Sequence, residues 1–212
     1  MIIAGVEEAG RGPVIGPMVM AIAAIDEKMV FRLKALGVTD SKLLTPARRK
    51  SLFGQVRNLC EHKIIKIPPQ KIDEELKKQD SNLNWLEAKT TAKLISAVKA
   101  DKVILDCHSN NIEAYTEYVK KLVKTDAEII AEHKADLNHI IVGAASILAK
   151  VTRDEEIEKI KKKYNVDFGS GYPSDPKTID FLRKNYRKYD FFRKSWETWK
   201  TVKNDNSQMR LF

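Results

Sequence analysis

The chain has 212 residues, 43% of them hydrophobic and 32% charged, and its 38 basic against 29 acidic side chains leave a net charge of +9. That is enough chain for one well-packed domain with a small appendage, and no apolar run approaches the roughly 18 residues that a membrane span needs. The opening "MIIAGVEE" has no basic start and turns acidic by Glu7, which argues against a secretory leader and for a cytoplasmic protein.

In chain order, "MIIAGVEE" and "VIGPMVMAIAAID" are apolar runs divided by Gly and Pro and read as strands. "TPARRKSLFGQVRNL" sets Thr45 and then Pro46 before Leu52, Val56 and Leu59 at helical spacing, so a helix is expected there. "HKIIKIPP" reads as a strand stopped by Pro68 and Pro69, and "LNWLEAKTTAKLISAVKA" as a helix. "KVILDC" is a β-rich run ending in Asp106, followed by a helix through "NIEAYTEYVKKLV" and a short strand, "AEIIAE". The longest helical pattern, "HIIVGAASILAKVTRDEEIEKIKKKY", is apolar first and charged later, so it leaves the core as it proceeds. A Gly/Pro/Ser-rich loop, "NVDFGSGYPSDP", comes next. Strands alternating with helices after an initial meander predict an α/β fold whose sheet is covered by helices.

The positive charge is concentrated near the end. Arg183, Lys184, Arg187, Lys188, Arg193, Lys194, Lys200 and Lys203 stand against only Asp190 and Glu197, a local surplus of +6. Tyr186, Tyr189, Phe191, Phe192, Trp196 and Trp199 are interleaved with them. Two readings fit this pattern. One is a nucleic-acid contact, with cations on phosphates and rings stacked on bases or sugars; the other is a solvated helix whose aromatics dock it onto the core. Cys60 and Cys107 stand without a CxxC pair, so two buried free thiols are expected rather than a zinc ribbon or a disulfide framework.

Four acids fall where an α/β sheet gathers its sites: Glu7 and Glu8 at the end of the first strand, Asp106 at the end of "KVILD", and Asp136 just before the long helix. Each taken alone reads as a surface carboxylate. Taken together they would repel one another unless cations neutralised them, and all-oxygen ligands suit Mg²⁺ or Mn²⁺. Two such ions can serve phosphodiester cleavage. Because side chains alternate along a strand, one of Glu7 and Glu8 should be central to the cluster and the other peripheral. His62, His108, His133 and His139 have no zinc-ligand spacing; His133 in "EHKAD" is either a proton carrier near Asp136 or a capping or surface histidine. "GRGPVIGP" lacks the Lys and Ser/Thr of a nucleotide P-loop.

In order along the chain, "GVEEAGRGPVIGPM", "TDSK", "LDC", "AEHKAD", "AASILAKVTRD" and "GSGYPSDP" resemble type 2 ribonuclease H, the ribonuclease HII family, especially its archaeal members. The resemblance covers about residues 1 to 180 and implies an RNase H-like α/β fold, with a mixed central sheet flanked by helices and a small helical C-terminal extension. It implies cleavage of the RNA strand of RNA/DNA hybrids and incision at ribonucleotides embedded in duplex DNA, leaving 3′-hydroxyl and 5′-phosphate ends. The family's metal-binding acids fall on Glu7, Glu8, Asp106 and Asp136. Its ribose-sensing segment falls on Gly10, Arg11 and Gly12, its sugar-packing tyrosine on Tyr172, and a lysine near the substrate phosphates on Lys42. The domain organisation expected is a catalytic domain over 1–178, a basic aromatic helical extension over 179–203 and a mobile tail over 204–212.

One residue departs from the family pattern. The family reads Asp-Glu where this chain reads Glu7-Glu8, so the ligand expected to touch both metals is longer by one methylene. The expected function is a metal-dependent endonuclease; the alternatives are a catalytically weakened hybrid-binding protein and another RNase H-like nuclease or strand-transfer enzyme. "QMRLF", Gln208 to Phe212, resembles a shortened box for binding the replication sliding clamp, with a plain disordered terminus as the other reading. No membrane partner is expected, and without an obvious dimerisation stripe the expected state is a monomer.

Overall fold

The apolar opening of the chain forms strand β1 (Ile2–Ala9), and the next apolar run forms β2 (Met18–Asp26), paired antiparallel with Gly5 opposite Ala23 and Glu7 opposite Ala21. The computed structural model describes residues 1–38 and 44–208. A short helix α1 (Val30–Ala35) follows, then α2 (Pro46–Leu59), whose N-cap Thr45 accepts a hydrogen bond from the Arg48 amide at 3.2 Å. Such a cap is worth about 1 kcal/mol. Next come β3 (Glu61–Ile67), α3 (Pro69–Leu76), α4 (Leu83–Ile95), β4 (Lys102–Asp106), α5 (Ile112–Leu122) and β5 (Glu128–Glu132). The chain then forms α6 (Ala135–Asn138), the long α7 (Ile140–Tyr164), α8 (Pro176–Asn185) and α9 (Glu197–Gln208).

The sheet runs β3-β2-β1-β4-β5, and β4 is parallel to both β1 and β5. This is the α/β sheet that the alternating pattern predicts, and it is mixed as the family resemblance implies. Helix α3 was not expected: Pro68 and Pro69 read as a strand stop, yet Pro69 occupies the first turn of a helix, where a missing N–H costs nothing. The C-terminal segment is helical as expected, in two helices joined by an irregular stretch from Tyr186 to Trp196.

The chain divides into two compact units. The first comprises Met1–Ala9, Val19–Lys66 and Asn84–Thr152, so it holds nearly all of the sheet. Its core sets Val19, Ala21, Ala23 and Ile25 of β2 with Leu52 and Val56 of α2 and with Ile141, Val142, Ala145, Leu148 and Val151 of α7. The small residues allow close approach. A Cβ on Gly5 would lie 2.5 Å from the Val142 amide nitrogen, so β1 can lie against the first turn of α7 only because that position has no side chain. Cys60 and Cys107 are buried free thiols. Burial pushes Cys60 up to about 12 and raises Cys107 as well.

The second unit comprises Gly10–Met18, Ile67–Leu83 and the residues from Arg153 onward. Its core holds Val14, Ile15, Ile157, Phe168, Leu182, Tyr186, Phe191, Phe192 and Val202, with Tyr189, Trp196 and Trp199 partly buried against them. The interleaved aromatics are therefore packing residues: Tyr189 stacks on Phe191 at 4.7 Å, and Tyr164 meets Phe191 edge-on at 5.1 Å. Of the two readings of this stretch, docking onto a core is the one the rings obey. The seven cations Arg183, Lys184, Arg187, Lys188, Lys194, Lys200 and Lys203 are exposed, whereas Arg193 is completely buried. Reading Arg193 as one more surface charge was wrong.

Candidate active site

The parallel register of β1 and β4 builds a cluster of acids within the first unit. Val6 stands beside Leu105, so one step further along Glu7 and Asp106 are lateral neighbours with side chains on one face. All four predicted acids are buried, Glu7 at 3% exposure, Glu8 at 8%, Asp106 at 8% and Asp136 at 2%, against the surface position that any single acid would ordinarily take. Burial is the main reason that the Glu7 carboxyl is held well above its usual range; the charges of Glu8 and Asp106 and a hydrogen bond to Asp106 add to the rise, and Lys150 opposes it. Asp106 Oδ1 accepts the Ala135 amide at 2.8 Å, which fixes the start of the short helix carrying Asp136. Just before that helix Lys134 takes a left-handed conformation, φ 57°, which turns the chain sharply after β5. Glu8, on the other face of the strand, meets His108 Nδ1 at 3.0 Å.

Among the described residues, no group of three His, Cys, Asp or Glu side chains is arranged to hold a metal ion as it stands. The donor chemistry nevertheless fits a hard divalent cation. Glu7 Oε2 is buried without a hydrogen-bond partner, an acceptor the fold leaves unsatisfied, and the surrounding donors are carboxylate oxygens.

The second unit carries the predicted ribose-sensing segment and the predicted sugar-packing tyrosine. Gly10 has φ +75°, and a Cβ there would come within 2.9 Å of the Pro17 carbonyl oxygen, so glycine is required by the loop itself. Gly12 is different: a Cβ there would reach only ordinary contact with the Tyr172 ring, at 3.8 Å. The predicted ribose-sensing segment and the predicted sugar-packing tyrosine are thus neighbours. Tyr172 is 37% exposed, and the Arg153 guanidinium lies over its ring at 5.2 Å while donating to the Ser170 carbonyl at 3.0 Å. Thr178 Oγ1 accepts the Gly171 amide and donates to the Phe168 carbonyl, and the Gly171 carbonyl accepts the Val14 amide at 2.9 Å. These bonds fix the "GSGYP" loop beside residues 14 and 15. Lys42 and the last four residues of the tail segment lie outside the described residues; Gln208 closes α9.

A family model for Ribonuclease HII matches residues 4–199. The chain is 42% identical over 222 residues to the ribonuclease HII of Pyrococcus furiosus, with 100% of this chain and 97% of that protein covered. The chain belongs to the ribonuclease HII family. It is a type 2 ribonuclease H, an endoribonuclease. Ribonuclease H2 from Pyrococcus horikoshii shares its fold with a TM-score of 0.90 at 41% identity, covering 98% of this chain and 100% of that one. The ribonuclease HII of Archaeoglobus fulgidus, solved as a complex with PCNA, superposes with a TM-score of 0.84 at 36% identity over 93% of this chain and 96% of that one. The RNase H-like fold expected from the motifs is therefore the fold observed.

Within this ribonuclease HII fold several residues carry weight that the sequence did not reveal. His133 turns to the Cys107 carbonyl at 2.7 Å, while His108, with no assigned part, is the imidazole that reaches Glu8. Lys150 lies in the quoted motif "AASILAKVTRD" without an assigned role, yet its charge acts on Glu7. The pairing of β4 with β1 and β5 and the packing of α7 on the sheet, which a single sequence does not display, bring these groups together.

Proposed function

We propose that the chain is a divalent-metal-dependent endonuclease that cuts the RNA strand of RNA/DNA hybrids and incises duplex DNA at embedded ribonucleotides, leaving 3′-hydroxyl and 5′-phosphate ends. The observation that carries this reading is the pair of lateral neighbours Glu7 and Asp106, buried together with Glu7 Oε2 unsatisfied. Glu7, Glu8, Asp106 and Asp136 would hold Mg²⁺ or Mn²⁺. A cation bound there supplies charge neutralisation and Lewis acidity to phosphodiester hydrolysis. The raised Glu7 carboxyl favours a bound proton, which it gives up when it takes a cation, so loading strengthens as pH rises.

Gly10, Arg11 and Gly12 would read the ribose 2′-hydroxyl, the group that separates RNA from DNA. Gly12 supports this, because nothing inside the protein demands a glycine there, whereas close approach of a sugar would. Tyr172 would pack on the neighbouring deoxyribose, and Lys42 and the exposed cations of α8, α9 and the stretch between them would contact phosphates. The segment Gln208–Phe212 would bind a sliding clamp, as the PCNA complex of the Archaeoglobus relative suggests. A hybrid-binding protein disabled by Glu7 is not favoured, given full-length similarity to ribonuclease HII proteins. The deciding experiment is cleavage of a duplex containing one ribonucleotide, with Mg²⁺ and Mn²⁺ compared, a chelator control and an all-DNA control. Chelator-sensitive incision at the ribonucleotide is expected, and binding without incision in either metal would overturn the reading.

A further inference from the structure

Arg193 is completely buried, and its guanidinium is spent on one loop. Nη2 donates to the Gly10 carbonyl at 2.6 Å, Nη1 to the Arg11 carbonyl at 2.8 Å and Nε to the Gly16 carbonyl at 2.9 Å. Its own amide donates to the Val14 carbonyl at 2.8 Å. The guanidinium lies over the Trp196 ring at 4.7 Å, and Trp196 Nε1 donates to the Gly12 carbonyl at 3.0 Å. Asp73 receives the amides of Lys194 and Ser195, both at 2.9 Å, and so fixes the backbone that carries this side chain. Burial and the nearby Arg153 lower Arg193 to about 9, which leaves it a cation at neutral pH.

A trans peptide is planar, with its C=O and N–H on opposite sides. Once the Gly10 and Arg11 carbonyls point to the guanidinium, the N–H groups of Arg11 and Gly12 must point the other way. Pro13 has no N–H, so the next peptide offers only its carbonyl, which Trp196 holds. A segment with glycines at 10, 12 and 16 would otherwise sample many peptide orientations, and ordering it has an entropic cost. Arg193 and Trp196 select one of them before any substrate arrives.

We propose that Arg193 is the positioning residue for ribose recognition: by clamping the carbonyls of Gly10, Arg11 and Gly16 it presents the amides of Arg11 and Gly12 to a 2′-hydroxyl. This rests on the reading of residues 10–12 as the ribose sensor. A single planar fork reaches all three carbonyls, whereas a lysine ammonium, a point donor on a flexible stem, does not hold them in one geometry.

The test measures binding of the full chain, without added metal, to a duplex with one ribonucleotide and to the same duplex with the corresponding deoxyribonucleotide. Cleavage of the first duplex is followed as kcat and KM separately. Arg193→Lys should lower the ribonucleotide preference about tenfold or more and reduce kcat, since small misplacements of a positioning group are costly. Val202→Ala, in the core of the same unit, controls for lost stability and should keep the preference. Full retention of the preference by a folded Arg193→Lys protein would overturn the role of Arg193 alone. A wild-type protein without preference would overturn the ribose-sensor reading itself, and this role with it. If Arg193→Lys does not fold, Trp196→Phe, which removes the bond to the Gly12 carbonyl and leaves a smaller ring beside the guanidinium, must lower the preference, and an unchanged preference there overturns the clamp.

Discussion

Replacing Glu7 by Gln should make the protein more stable while abolishing cleavage. Glu7 is 3% exposed, one of its carboxylate oxygens has no hydrogen-bond partner, and Glu8 and Asp106 add like charge. Leaving such a group buried and unsatisfied costs about 1–3 kcal/mol, part of which Lys150 offsets. A Gln keeps the shape, removes the charge and donates an N–H to Asp106. For a chain of this size 1 kcal/mol is worth roughly 2–4 °C in Tm, so Glu7→Gln should melt of order 3–8 °C higher in chelator at about pH 7.5. The sign follows from linkage. The folded carboxyl lies above its unfolded value, so its contribution is fully favourable below the ordinary carboxylate range and is lost as pH rises through the folded pKa. The gain from Gln should therefore disappear near about pH 3.5, where wild-type Glu7 is protonated in both states. Thermal unfolding of both proteins at the two pH values is the assay. A mutant that melts at or below wild type at pH 7.5 would refute the argument that burial of Glu7 is a standing cost. Such a cost is what a site kept for function imposes.

Glu7→Asp draws the carboxylate back by one methylene; if the longer side chain misaligns two cations by about 1.4–3 kcal/mol, cleavage should accelerate roughly ten- to a hundredfold in Mg²⁺ or Mn²⁺, and an unchanged rate sinks that idea. Gly5→Ala places a methyl 2.5 Å from the Val142 nitrogen and should cost about 1–3 kcal/mol by overpacking, read as a Tm several degrees lower; an unshifted Tm would contradict the close approach of β1 to α7. Removing residues 208–212 should abolish binding to a sliding clamp in a titration while leaving hybrid cleavage intact. Reversing Arg187 and Lys188 to Glu should weaken duplex binding about equally with and without a ribonucleotide and flatten its salt dependence, because phosphate contacts carry no sugar information.

The sequence displayed the elements through their periodicity and the acids through their places at strand ends, because both are local signals. Thr45-Pro46 marked the start of α2, and "KVILD" marked β4 with its terminal carboxylate. What stayed hidden depends on distant partners. Arg193 counted as one of eight surface cations because the carbonyls that hold it belong to residues 10, 11 and 16, at the other end of the chain. The aromatics around it carried two readings because a ring that can stack on a base can equally fill a core, and only burial separates the two. His108 was overlooked for a related reason: its significance lies in facing Glu8, a hundred positions earlier. The start of helix α8 falls at the end of the stretch read as a loop, where the Asp175 side chain accepts the Lys177 amide and Pro176 opens the first turn.

The two buried thiols have a practical consequence for every binding experiment above. A thiol must ionise to attack an electrophile, and Cys60, at about 12, and Cys107, also raised, both stay protonated and shielded at neutral pH. Maleimide reagents should leave the natural protein unlabelled under native conditions. A single new cysteine at exposed Asp126, in the loop before β5, would then be the sole attachment point for a fluorophore, with Cys60 and Cys107 left in place.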